Sequence, residues 1–133
     1  MGGAIDLHHV HLFASDIDAT IGWWCRHLDA RVLLDAVLAG SRNVLLGVGS
    51  GRINIYAQPP RDRGRGAVHH LGVRVTDLRA LWDRLQAEGV TARNGLREEE
   101  GWRYVMIAAP DDVLVDLFEF DDPASPLTQA GFG

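Results

Sequence analysis

The sequence predicts an α+β fold made of two tandem βαβββ modules, at about residues 5–58 and 67–120. Three observations carry this. First, the chain repeats itself at an offset of 61 residues: His8-His9-Val10-His11-Leu12-Phe13-Ala14-Ser15-Asp16-Ile17 lies over His69-His70-Leu71-Gly72-Val73-Arg74-Val75-Thr76-Asp77-Leu78, with both histidines, the aspartate and the apolar positions coinciding. Second, the match resumes at the end of each half, where Arg52-Ile53-Asn54-Ile55-Tyr56 lies over Leu114-Val115-Asp116-Leu117-Phe118 at an offset of 62. Third, each opening segment leads into a stretch of helical period and then into alternating ones.

Taken in order, residues 6–14 alternate and read as a strand. Asp16 caps a helix over 17–28, whose apolar stripe is Ile17, Ile21, Trp24, Cys25 and Leu28. Strands follow near 31–37, 43–48 and 52–57, broken at Gly40 and at Gly49-Ser50-Gly51. The second half repeats the order. A strand over 67–75 precedes a cap at Asp77 and a helix over 78–88 with Leu78, Leu81, Trp82 and Leu85 inward, ended by Gly89. Strands near 91–96, 102–109 and 113–120 complete it. A Pro/Gly/Arg linker at 59–66 joins the modules into one domain, and a polar tail over 121–133 lies loosely on the surface.

With 133 residues, 47% hydrophobic and 23% charged, the chain is long enough for a sizeable core and is no disordered tail or disulfide scaffold. Thirteen basic against eighteen acidic residues give a net charge of −5, the opposite of a nucleic-acid binder. The basic cluster Arg61, Arg63 and Arg65 sits among Pro and Gly and reads as a solvated connector. Every basic residue is Arg, so lysine Schiff-base chemistry is excluded. Cys25 is alone, which rules out an intrachain disulfide and a thiolate metal cage. No apolar run reaches the ~20 residues of a membrane span. No leader pattern opens the chain, and Asp6 spoils the myristoylation signal that Met1-Gly2-Gly3 would begin. The expectation is a cytoplasmic protein that binds neither membrane nor nucleic acid.

Strand alternation sorts the side chains into faces. If each helix covers Val10, Leu12 and Ala14 or Leu71, Val73 and Val75, the other faces collect His9, His11, Arg52, Asn54, Tyr56, His70, Arg74, Asp116 and Phe118. Such polar faces cost free energy as ordinary sheet core and read as a site. Any one strand histidine is commonly a hydrogen-bonded structural residue. Two in equivalent repeat positions, with Asn and Asp also equivalent, argue for ligation. Glu119 falls on the opposite, helix-side parity.

On these residues the sequence resembles the vicinal oxygen chelate superfamily of glyoxalase I, methylmalonyl-CoA epimerase, extradiol dioxygenases and bleomycin resistance proteins. The doubled openings His9 to Asp16 and His70 to Asp77, and the closing Pro110-Asp111-Asp112-Val113-Leu114-Val115-Asp116-Leu117-Phe118, carry the resemblance over about residues 5–120. It implies that the modules curl into a curved mixed-sheet cup, helices outside, around one divalent ion (Ni, Zn, Co, Mn or Fe(II)). Position matching assigns the ligands to His9, His70 and Asp116, with Asn54 a weaker fourth. The glyoxalase and epimerase branches have Glu or Gln at the position of Asn54 and Glu at that of Asp116, so both side chains here are one methylene shorter.

The implied activity is that of a glyoxalase- or epimerase-type isomerase or lyase, chelating vicinal oxygens of a small substrate and stabilising an enediolate or enolate. His11 is the expected base, and Arg52, Tyr56, Arg74 and Phe118 the expected substrate contacts. Two alternatives stand beside it. His9, His70 and Asp116 form a two-His-one-carboxylate set such as non-haem iron ring-cleaving dioxygenases use. Trp23, Trp24, Trp82 and Trp102, with the two shortened ligands, suit a metal-free protein that binds an antibiotic. A homodimer is the expected assembly.

Overall fold

Asp16 and Asp77 decide where the helices begin. In the computed structural model, which describes residues 3–62, 64 and 66–132, each holds a non-helical backbone. Each side chain accepts from the backbone N–H three residues on, Ala19 at 3.1 Å and Ala80 at 3.3 Å. Helix α1 runs over Ile17–Leu28 and helix α2 over Leu78–Ala87. Asp29 (φ 54°) closes the first in the left-handed region, and Gly89 (φ 87°), just past the second, takes the conformation that favours glycine.

The strands are β1 Val10–Phe13, β2 Arg31–Leu38, β3 Ser41–Val48, β4 Gly51–Tyr56, β5 Leu71–Arg74, β6 Arg97–Glu99, β7 Trp102–Ala109 and β8 Val113–Phe120. They form two four-stranded mixed sheets, ordered β1-β4-β3-β2 and β5-β8-β7-β6. In each, the first strand pairs parallel with the last, and the rest are antiparallel. The chain is thus α+β, with βαβββ stated twice. It divides into two compact units, Met1–Arg63 and Gly64–Gly133.

Each sheet buries one face under its own helix. In the first unit Val44, Leu46, Ile53 and Ile55 lie beneath α1 with Trp24 and Leu28; in the second, Val105, Ile107, Val115 and Leu117 lie beneath α2 with Leu78, Trp82 and Leu85. Full burial of such side chains is worth about 1.5–3 kcal/mol each. On the buried side of the second sheet Arg103 donates to Glu119 and to Asp121, both at 2.8 Å. Glu119 also accepts from the Leu78 N–H at 3.3 Å, tying β8 to the start of α2. The parity reading of Glu119 therefore holds, and the carboxylate serves the fold. Arg103's hydrogen bond holds the Asp121 carboxyl below its usual range.

Three sequence expectations need correction. The strands expected over 6–14 and 67–75 shrink to Val10–Phe13 and Leu71–Arg74. The parallel ladders begin only where Val10 meets Ile53 and Leu71 meets Val115, and the residues before them have no ladder partner. The strand expected over 91–96 reduces to a single bridge, Ala92 to Ile107; Gly95 (φ 64°) breaks the run, and β6 forms two residues later. The tail is not loose throughout, because Thr128–Phe132 forms a wide turn that sets the Phe132 ring 5.3 Å from Phe118. No helix among the described residues is long and apolar enough to cross a membrane.

Candidate functional site

Away from the helices, each unit presents a polar and aromatic face. In the first unit His9 immediately precedes β1, and Arg52 holds that stretch by donating from Nε to the His8 carbonyl at 2.9 Å. His9 Nδ1 lies 2.9 Å from His8 Nδ1, a contact that needs one ring to donate and the other to accept. When His9 donates, its Nε2 keeps a lone pair, the tautomer that a metal ligand requires. His11 stands one alternation further along β1, level with Asn54 of β4. Its ring is 6.1 Å from His9 and packs edge-on against Tyr56 at 5.0 Å. Partial burial, and then the neighbouring His9, push its pKa below the usual histidine value.

Tyr56 also meets Phe13 edge-on at 6.1 Å. His11, Phe13 and Tyr56, with Leu12, Gln58, Pro59 and Arg61, line a cavity of about 500 Å³. Arg61, expected as plain linker, is its cation and has no ion-pair partner among the described residues. Arg63 and Arg65 lie outside the described residues.

The second unit repeats the opening. His70 immediately precedes β5, and its Nδ1 lies 2.8 Å from His69 Nδ1. Its Nε2 faces Asp116 Oδ2 at 3.7 Å, too long for a hydrogen bond. Asp116 Oδ1 is buried with no hydrogen-bond partner, and desolvation pushes the carboxyl pKa up against the opposing pull of His70. The residue opposite Asp116 on β5 is Gly72, which stands at the repeat position of His11 and adds no side chain. Phe118 comes instead within 3.4 Å of where a Gly72 Cβ would sit. Arg74 is level with Phe118. Trp102 stacks flat on Tyr104 at 5.2 Å and on Phe120 at 5.1 Å, and Phe132 from the tail closes on Phe118 and Phe120.

Each unit therefore offers two donors, His9 with Asn54 and His70 with Asp116. Among the described residues no three His, Cys, Asp or Glu side chains converge. The donor chemistry nonetheless fits a divalent ion. Two ligands held at about 2.1 Å from one ion stand about 3.0–3.4 Å apart, a few tenths short of the His70–Asp116 spacing. A buried carboxylate oxygen with no hydrogen-bond partner is the kind of group that an ion satisfies. Sequence reasoning missed Phe132, hidden in a polar tail, and the supporting His8 and His69, although the doubled His-His was visible in the repeat.

Comparison with solved structures agrees with the topology. A glyoxalase family protein from Enterococcus faecalis superposes with a TM-score of 0.71 at 22% identity, over 86% of this chain and 97% of that one. The fosfomycin resistance protein FosX from Listeria monocytogenes, complexed with Mn(II) and sulfate, gives 0.68 at 16%, over 88% and 93%. Glyoxalase I of Leishmania major gives 0.74 at 18%, over 87% of each. A search of curated protein sequences gives no match. The family model described as Glyoxalase/Bleomycin resistance protein/Dioxygenase superfamily matches residues 6–124. With nearly the whole chain matched and its doubled βαβββ topology in place, the protein belongs to the glyoxalase/bleomycin resistance protein/dioxygenase superfamily.

Proposed function

We propose that the protein is a divalent-metal-dependent enzyme of the glyoxalase or epimerase type, acting on a small substrate with neighbouring oxygens. Its proposed ligands are His9, His70 and Asp116, with Asn54 a fourth. The observation that carries the reading is the Asp116 carboxylate, half-buried and unpartnered at Oδ1, 3.7 Å from a histidine whose Nδ1 is engaged by its neighbour. A divalent ion held by these residues would supply Lewis acidity for negative charge developing on the substrate's oxygens.

The chain's own residues do the rest. His11 takes the proton from the substrate carbon, with its ring oriented by the edge of Tyr56. Arg61 places an anionic group of the substrate in the cavity, and Phe13 and Tyr56 give it apolar walls. Arg52, Arg74 and Phe118 complete the substrate contacts.

The test is exchange of the proton next to the carbonyl of a small hydroxy-ketone into D2O, followed by NMR with a divalent ion added. Wild type is expected to exchange it, and His11→Gln to do so at least about 100-fold more slowly. Equal rates would remove His11 from the mechanism.

A second reading, a metal-free protein that holds an aromatic antibiotic, is favoured by the flat Tyr104–Trp102–Phe120 stack. It predicts tight aromatic binding that divalent ions leave unchanged.

We further propose that the protein works in the cytoplasm as a homodimer. Strand β2 supports the dimer: Val32, Leu33, Leu34, Val37 and Leu38 are all exposed, Val37 at 73%. An edge strand so apolar is a ready surface for another chain. Light scattering is expected to give twice the 14.6 kDa chain mass, and a monomer mass would reject the proposal.

A further inference from the structure

We propose that Asn43 is a positioning residue that turns the carbonyl oxygen of Asn54 onto the open face as a neutral metal donor. The inference rests on the metal-site reading above and names what prepares one of its ligands. Asn43 sits on β3, diagonally across from Asn54 on β4, and is only 5% exposed. Its Nδ2 donates to the Ser41 carbonyl at 3.0 Å and to the Leu38 carbonyl at 3.4 Å. Backbone carbonyls only accept, so the NH2 end of Asn43 must face them and its Oδ1 must point the other way. That oxygen meets the Asn54 amide at 3.1 Å. Because Asn43 Oδ1 carries no proton, the Asn54 group facing it must be the NH2. The orientation of both amides is fixed by the backbone of the β2–β3 turn, two hydrogen bonds back.

The consequence is chemical. Asn54 has one acceptor oxygen, and the relay leaves that oxygen without a hydrogen bond among the described residues. An amide free to flip would present NH2 to a cation half the time and repel it. The same relay accounts for an amide at this position. A carboxylate at residue 54 would set one of its oxygens against Asn43 Oδ1 with no proton between them, so the intrinsically stronger donor is the worse fit here.

The experiment is a Co(II) titration of the full chain, read from the visible ligand-field spectrum, with far-UV circular dichroism to confirm folding. Asn43→Leu keeps the volume and removes the acceptor. It is expected to weaken Co(II) binding about 10–100-fold, the usual effect of losing a partner that orients a ligand. In an Asn54→Ala background the same change is expected to have no further effect. Unchanged affinity in Asn43→Leu, or an equal loss in the Asn54→Ala background, would overturn the proposal.

A second arm needs neither metal nor variant. In the metal-free wild-type protein, the Asn54 side-chain amide protons are expected to exchange with water more slowly than those of the exposed Asn94. Exchange as fast as that of Asn94 would overturn the relay. A protein that passes this arm but takes up no Co(II) refutes the metal reading while keeping the relay.

Discussion

Replacing His70 by alanine is expected to abolish stoichiometric binding of divalent ions. The loss should exceed the about 10–100-fold that follows when only a supporting partner is removed, because a ligand itself is gone. His70 is the ring closest to the orphaned Asp116 carboxylate, 3.7 Å away, and its Nδ1 is already engaged by His69. Without the ring, Asp116 keeps its desolvation and loses the neighbour that opposes it. Calorimetric titration with Ni, Co, Zn and Mn checks this, with circular dichroism to confirm that the sheet survives. Undiminished affinity in His70→Ala would show that the metal is held elsewhere.

The largest expected effect on stability belongs to Trp24→Ala. Trp24 is 1% exposed on the inner stripe of α1, against the sheet face formed by Val44, Leu46, Ile53 and Ile55, with the Trp23 ring 5.4 Å away. Truncating a buried tryptophan to alanine removes its transfer free energy and leaves a cavity, costing about 3–5 kcal/mol. Against a total stability of about 5–15 kcal/mol that is enough to bring a small domain close to unfolding. Urea unfolding followed by far-UV circular dichroism measures it. A loss under about 1 kcal/mol would mean that α1 does not carry the first unit's core.

What could be read from the sequence follows from which interactions are local. The caps at Asp16 and Asp77 and the stop at Gly89 act within a few residues, so both helices were legible nearly to the residue. The long central strands β7 and β8 were legible because alternation persists over eight positions with a clear inner face. The starts of β1 and β5 were not, since they are set by where the parallel ladder to a strand distant in the chain begins. The run over 91–96 carried enough alternation to suggest a strand, but Gly95 and the β6–β7 register decided otherwise.

For the site, periodicity put His9, His11, Asn54 and Tyr56 on one face because strand parity is a strict rule. The groups that prepare those side chains were invisible. Asn43 acts through Leu38 and Ser41 across a turn, and Arg61 reads as linker until the end of β4 is seen to bring it to the cavity. Phe132 lies twelve residues beyond the last strand in a stretch that looks solvated, yet its ring reaches Phe118 and Phe120.

The metal content of the purified wild-type protein, after equilibration with Ni, Co, Zn, Mn or Fe(II) and removal of excess ion, tests the proposed function most directly. One divalent ion per chain is predicted, lost in His9→Ala and in His70→Ala alike. No stoichiometric metal with any of the five would contradict it and leave the aromatic-binding reading in its place.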